Sequence, residues 1–204
     1  EYLLFLDCDG KIISPNFIQN YLDFIFKNPE TVVLYGGRRA GETIPKDSHI
    51  LRWKFANERE NLSVSERKKT PYLSFQTNNF FIKKSVFEKI NFDPEYSKYG
   101  YEDVLFSMNL KSKNIEISHI ENPILNIDVE SNSLYMSKVE DSVSTLSAML
   151  KNTNSGNKLN EIKLWNQNVW NMTFYPIFTF EFNSKNHLTN ITDKMNPVGK
   201  AIIG

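Results

Sequence analysis

A single cysteine, Cys8, occurs in 204 residues, which excludes an internal disulfide framework and is compatible with a reducing compartment. No apolar stretch approaches the ~20 residues of a membrane-spanning helix, and no basic segment followed by an apolar run forms a leader. Charge of one sign is also lacking: 24 Lys and Arg stand against 24 Asp and Glu, with a sequence pI near 7.1. No general basic field therefore favours nucleic acid as a partner. Internal repeats and low-complexity tracts are absent, apart from a richness in Asn. The sequons at Asn61, Asn171 and Asn190 carry little weight without a leader. What is present is a chain of 23.8 kDa, expected to be soluble and cytoplasmic, long enough for a sizeable core and one domain or a domain plus an appendage. Its 15 Phe and 9 Tyr suit a large core better than a sugar-stacking surface.

The chain opens on Tyr2-Leu3-Leu4-Phe5-Leu6-Asp7-Cys8-Asp9-Gly10. Five apolar residues closed by Asp and Gly are too short for a stable helix and predict a strand buried on both faces, in the middle of a parallel sheet. Ligands collect at the carboxyl ends of such strands. Two carboxylates one residue apart, beside a glycine, suit a hard divalent cation such as Mn²⁺ or Mg²⁺; an exit into a polar turn is the other reading. Because Glu1 sits directly on a strand of interior character, an N-terminal portion is expected to be missing.

Ser14-Pro15 reads as an N-cap followed by proline at the first helical position, with Phe17, Ile18, Tyr21, Leu22 and Ile25 at helical spacing. Thr31–Tyr35, ending in Gly36-Gly37, completes a strand-helix-strand unit. Arg38–Glu42 reads as a basic loop, a helix is expected around Leu51, Phe55 and Leu62, and residues 63–70 read as charged and mobile. Ser74–Ile82 predicts a short strand carrying polar groups, and Ser85-Val86-Phe87-Glu88 has capping-box spacing that opens a helix through Ile90. An aromatic loop, Tyr96 to Tyr101, precedes a helix that begins at Glu102-Asp103 with Val104, Leu105, Met108 and Leu110 inward. Ile115–Ile120 alternates like a strand, and residues 123–128 are extended. Beyond these, Tyr135–Leu150 and Leu159–Trp170 have helical patterns separated by the breaker 152–156, and Thr173–Phe182 fits either strand or helix.

Three clusters carry chemistry: Asp7-Cys8-Asp9, Thr77-Asn78-Asn79 and Gly100-Tyr101-Glu102-Asp103. Carboxylates at a helix mouth are stabilised by the macrodipole without any further role, and buried consecutive amides need partners that a turn or a hydroxylated ligand supplies. Together they form the parts for moving a group off a phosphate leaving group: a cation for the departing diphosphate and an acid to remove a proton from an incoming hydroxyl.

The order of motifs, Asp7-Cys8-Asp9-Gly10, Tyr35-Gly36-Gly37, Asn78-Asn79-Phe80-Phe81-Ile82, Phe92-Asp93 and Tyr99-Gly100-Tyr101-Glu102-Asp103-Val104-Leu105-Phe106, resembles the family 2 glycosyltransferases of the GT-A fold, over roughly residues 1–130. The resemblance implies an α/β fold, a Rossmann-like mixed sheet flanked by helices, truncated at the N-terminus. A mainly helical appendage over 131–204 would follow. It implies a metal-dependent, inverting hexosyltransferase of bacterial polysaccharide biosynthesis, using a nucleotide-sugar donor and a glycan or glycolipid acceptor. Asp7 and Asp9 would bind the donor; Asp9 and Asn126 would hold Mn²⁺ or Mg²⁺, Asn126 standing where the family often has His. Asp103 would be the general base, with Glu102, Asn79 and Tyr101 binding the acceptor. Since the family grips the nucleotide with the half that precedes the Asp-x-Asp strand, this chain alone is expected to be weakly active or inactive. Self-association and a peripheral contact with the inner face of the membrane are further expectations; residues 174–178 are the candidate for such a contact, with a plain hydrophobic core as the better reading of that stretch.

Two other readings compete. Leu4–Gly10 resembles the first motif of haloacid-dehalogenase-like phosphatases, with Asp7 as nucleophile, but Lys11 departs from that pattern and no Gly-Asp-x-x-x-Asp motif follows. A non-catalytic carbohydrate-binding module would explain Asn126 in place of His.

Overall fold

The computed structural model describes residues 1–95, 100–127, 129–151, 178–182 and 188–193. They fall into two units, Glu1–Ser97 with Glu102–Tyr135, and Lys98–Tyr101 with Met136–Gly204.

The first unit is a mixed α/β body. Its main sheet contains β1 (Tyr2–Leu6), β3 (Val33–Tyr35), β5 (Asn79–Lys83) and β6 (Ile117–His119), in the order β1-β5-β3-β6. Both β1 and β3 run antiparallel to β5, and β3 is parallel to β6. This corrects the expectation for the opening strand. Among the described residues β1 lies at the sheet edge, next to an antiparallel neighbour, with Tyr2 to Phe5 half-buried and Leu6 exposed. The first strand-helix-strand unit does make parallel strands, but β5 is inserted between them.

Alternation along the strands explains both covered faces. Val33, Tyr35, Phe80, Ile82 and Ile117 point to one side with Leu3 and Phe5 beside them, against Phe106 and Leu110 of α5 (Glu102–Ser112). Leu34 and Phe81, with Tyr2 and Leu4, point to the other side against Phe17 and Tyr21 of α1 (Phe17–Lys27). Helix α1 starts two residues later than Pro15 predicts, with Asn16 as N-cap and no side-chain cap bond.

The three strands that share a direction leave the sheet at the same end, and each passes into a second, small sheet. There β2 (Gly10–Ile12), β7 (Ile124–Asn126) and β4 (Arg38–Ala40) pair in the order β2-β7-β4. The segment expected to be a basic loop is thus strand β4. Before β5, residues 74–78 are turns and extended chain rather than strand. Residues 47–60 form a 3₁₀ turn, α2 (Ile50–Phe55) and a π-helical turn, Ala56–Glu60.

The segment read as mobile contains α3 (Val64–Arg67), closed by a reciprocal capping box between Ser63 and Glu66, and its Arg67 is buried. The capping box expected at Ser85 does not form: α4 (Lys84–Phe87) begins two residues earlier, with Lys83 as N-cap and no side-chain cap bond.

Helix α6 (Asn132–Lys151) matches the first helical pattern after residue 131, but the other elements described there are strands, β8 (Phe178–Phe182) and β9 (Leu188–Asp193), paired antiparallel. The expected helix over 159–170, the loop at 96–99 and residues 174–177 of the aromatic stretch lie outside the described residues. No described helix is long and apolar enough to cross a membrane.

Candidate functional site

The carboxyl ends of β1, β3 and β6 are where the chain turns from one sheet to the other, and the chemistry-bearing residues gather there. After β1, Asp7 to Gly10 forms a turn closed by the Gly10 N–H donating to the Asp7 carbonyl at 3.1 Å. The Asp7 N–H donates to the Asn78 carbonyl at 3.0 Å, fixing the turn beside the start of β5. Gly10 pairs with Asn126 across the small sheet, and the Asn126 Nδ2 donates to the Asp9 carboxylate at 3.5 Å, so the amide must turn over for its oxygen to face a cation beside Asp9. Two residues far apart in sequence that were expected to share a cation are therefore neighbours.

Burial raises the Asp7 carboxyl above its ordinary range, the charge of Asp9 adds to this, Arg38 opposes it, and Glu102 raises it further. Of the α5 acids, Glu102 is the one whose charge reaches Asp7, as the smallest of these influences. Hard oxygen donors at a water-accessible mouth suit Mg²⁺ or Mn²⁺, ions that keep several waters or take phosphate oxygens. Among the described residues no group of three His, Cys, Asp or Glu could hold a metal, so Asp9 and the Asn126 carbonyl would supply part of a shell completed by water or ligand.

Glu102 and Asp103 occupy the first turn of α5. One Asp103 oxygen accepts from the Val104 N–H at 2.7 Å, which satisfies one of the first-turn N–H groups of the helix. The helix dipole favours the charged form here, yet burial and then the Glu102 charge push the Asp103 carboxyl up to about 7. The other carboxylate, Glu102, has its Oε2 buried without a hydrogen-bond partner. Immediately before them, Gly100 and Tyr101 have φ of 102° and 66°. Gly100 is required on two counts, its backbone angle and a side-chain position that would fall 2.7 Å from the Ser142 Cα.

Asn79 was expected to bind the acceptor, but its amide is engaged within the protein. Its Nδ2 donates to the carbonyls of Gly37 and Asn122 at 2.8 and 2.9 Å, and its Oδ1 accepts from the Tyr21 hydroxyl at 2.6 Å. Asn122, in turn, donates to the Phe17 carbonyl and accepts from Asn20. This buried network ties α1 to the ends of β3 and β6. Gly36 lies inside it: a Cβ there would come within 2.6 Å of the Asn122 carbonyl and the Asn79 amide.

Several contributors escape a reading of the sequence. Arg38 turns inward from β4 to pair with Glu60 at 2.9 Å, and Arg52 reaches the same oxygen at 2.9 Å. The π-helical turn sets Glu60 between the two guanidinium groups, and its charge contributes to the raised Asp103 pKa. Buried Arg67 donates to the Ile120 carbonyl at 2.9 Å and lies 5.1 Å from the centre of the Tyr35 ring. His119 is core rather than ligand: burial, then Arg67, hold its pKa at about 4, and the neutral ring donates from Nε2 to the Pro71 carbonyl at 3.0 Å.

A cavity of about 660 Å³ opens along the outer edge of β6, lined by residues including Phe24, Glu30, Lys68, Glu116 and His119. None of the acidic residues above lines it, so volume and chemistry point to different places. The convergence of charge and unpartnered polar atoms makes the acidic end the better candidate.

No protein-family model matches the chain, and no curated protein matches it in sequence.

Proposed function

We propose that the chain carries the cation, acceptor and base elements of a glycosyltransferase of the GT-A type, moving a sugar from a nucleotide-sugar to a hydroxyl of a glycan or glycolipid. The observation that carries the reading is the pairing of Gly10 with Asn126 across the small sheet, which sets Asn126 beside Asp9, with the Glu102 charge reaching Asp7 from the mouth of α5. Asp7 follows β1 and Glu102 opens α5, elements far apart in sequence.

In this reading Asp103, held at about 7, takes the proton from the acceptor hydroxyl as its oxygen bonds to the anomeric carbon and the bond to the diphosphate oxygen breaks on the opposite face. Glu102 orients that hydroxyl through its buried oxygen. Asp9 and Asn126 would hold a divalent cation, whose chemistry when bound would be to neutralise diphosphate charge. Arg38, acting on Asp7 from the side, offsets part of the negative charge gathered there.

The test is a Mn²⁺ titration of the chain, followed by isothermal calorimetry of the variants. The wild type is expected to bind, and Asp9→Asn and Asn126→Ala to lose most of the affinity; unchanged binding in both variants refutes the cation site. Glycan binding that survives EDTA, with no sugar transfer under any condition, would replace the enzyme reading with a non-catalytic sugar-binding module.

A further inference from the structure

Strand β6 closes one side of the main sheet: among the described residues it pairs with β3 and with no strand beyond. Its register fixes what the open side offers. The Ile120 N–H donates to the carbonyl of Tyr35, which stands opposite His119 in the parallel ladder. In such a ladder a residue bonds the two neighbours of its counterpart, so Ser118 and Ile120 face β3. The N–H and C=O groups of Ile117 and His119, which alternate with them, point to the outer edge. The next carbonyl of that set, Ile115, already accepts from the Tyr72 hydroxyl at 3.2 Å.

The cavity of about 660 Å³ lies along this edge, and the consecutive residues Ile115 to His119 all line it. They span roughly 13 Å of extended chain, so the cavity follows the strand rather than crossing it. Two walls enclose it. On one side stands Phe24, which packs on the sheet face that α1 covers. On the other stands Pro71, whose carbonyl accepts from the His119 ring, and that ring lies against Tyr35 on the opposite face. Ile117 and His119 are each 2% exposed, so the edge is the floor of a groove. A single extended chain reaches such a floor, whereas the walls hold off the sheet edge of a second folded copy. The lining carries the carboxylates of Glu30 and Glu116 and the ammonium of Lys68, none of them in an ion pair among the described residues. Because the His119 ring is neutral above pH 4, the groove is acidic on balance.

We infer that the outer edge of β6 is a docking site for an extended, basic peptide of a partner protein, added to the sheet as a strand beyond β6. Main-chain hydrogen bonds to Ile117 and His119 supply the attachment, as in other cases of strand addition, and the walls read alternate side chains. Glu30 and Glu116 select Lys or Arg, while Lys68, on the Pro71 segment, repels them from that side and so fixes which face of the peptide turns which way. The site uses no residue of the glycosyl-transfer reading and stands or falls without it.

The experiment is calorimetry and amide hydrogen exchange by NMR on the full chain, with a blocked heptapeptide of alternating valine and lysine as the probe. In the free chain the Ile117 and His119 amides should exchange faster than those of Ser118 and Ile120, and the peptide should slow the first pair and leave the second unchanged. A valine–glutamate peptide should bind about threefold to tenfold more weakly, and the double variant Glu30→Gln with Glu116→Gln should lose the same factor toward the lysine peptide. Both glutamates are exposed, so the melting temperature of that variant should stay level. Peptides N-methylated on every valine or on every lysine should separate, one losing binding and the other keeping it, because only alternate amides face β6. A wild type that does not bind the lysine peptide overturns the inference, as does equal binding of the glutamate peptide or equal behaviour of the two N-methylated forms. Ile117 and His119 amides as protected in the free chain as Ser118 and Ile120 also overturn it, since the edge would then already be occupied by this chain or a second copy.

Discussion

Replacing Asp103 by Asn should stabilise the protein at alkaline pH while removing the group proposed as base. An acid whose native pKa exceeds its unfolded value binds a proton more readily when folded, so stability declines as pH rises between the two values and is flat above them. For Asp103 the interval runs from 3.8 to about 7. At about 1.4 kcal/mol per pH unit the full rise corresponds to about 4 kcal/mol, and partial access to water reduces this to about 2–4 kcal/mol. Asparagine keeps the oxygen that accepts from Val104 and never ionises. The variant and wild type should therefore coincide near pH 4 and diverge steadily until about pH 7. At pH 8 the urea midpoint of Asp103→Asn should be higher by about 1–2 M, given an m-value of about 2 kcal/mol per M. Tryptophan fluorescence during urea titrations at pH 4, 6 and 8 reads this directly. A variant no more stable than wild type at pH 8, or a difference that does not change with pH, refutes a carboxyl strained by burial. In a chain able to turn over, the same group predicts a rate that rises through pH 7 and is lost in the asparagine variant.

Three further outcomes follow from packing. Asn79→Ala leaves the Gly37 and Asn122 carbonyls and the Tyr21 hydroxyl short of a partner, and should lower unfolding free energy by about 3–5 kcal/mol in urea titrations; a loss below about 1 kcal/mol would mean water replaces the amide. Ser63→Ala removes the α3 cap and should lower it by about 1 kcal/mol, whereas a mobile segment would show no change. Tyr101→Gly trades about 1 kcal/mol of backbone strain at a left-handed angle against the interactions its side chain makes, and should lower the melting temperature; a rise would refute this by showing that the strain outweighs them.

Most of the α/β body is legible in the sequence because its signals are local. Apolar runs at β3 and β6, the helical spacing of α5 and the long pattern of α6 are each set by residues close together in the chain. What escapes depends on distant pairings. The composition of Tyr2–Leu6 is that of an interior strand, but whether a strand lies at an edge is decided by which segments pair with it, and only β5 does so among the described residues. Asn78 and Asn79 look equivalent as adjacent amides. A shift of one residue decides which of them meets Tyr21 and which bonds Gln76, and register is invisible until the partner strand is known. Residues 63–70 resemble a solvated loop by charge, yet Arg67 is buried because the Tyr35 ring and the Ile120 carbonyl wait for it.

The same distant pairings account for how an acid can sit in a place that disfavours its charge. Asp103 and Glu102 start a helix whose following turns pack Phe106 and Leu110 into the core, so the mouth of the helix cannot withdraw from the sheet without exposing aromatic surface. Opposite them, the Asp7 turn is held by the Asn78 carbonyl, and the ends of β3 and β6 are tied by Asn79, Asn122 and Arg67. Burial of the staples and of the aromatic core holds the carboxylates together against their repulsion. A substitution in the staples, such as Asn79→Ala, should therefore weaken that constraint and lower the Asp103 pKa toward its ordinary value before the fold is lost. Carbon-detected NMR titration of the Asp103 carboxyl measures it, and an unchanged pKa in a variant destabilised by several kcal/mol would break the link between network and site.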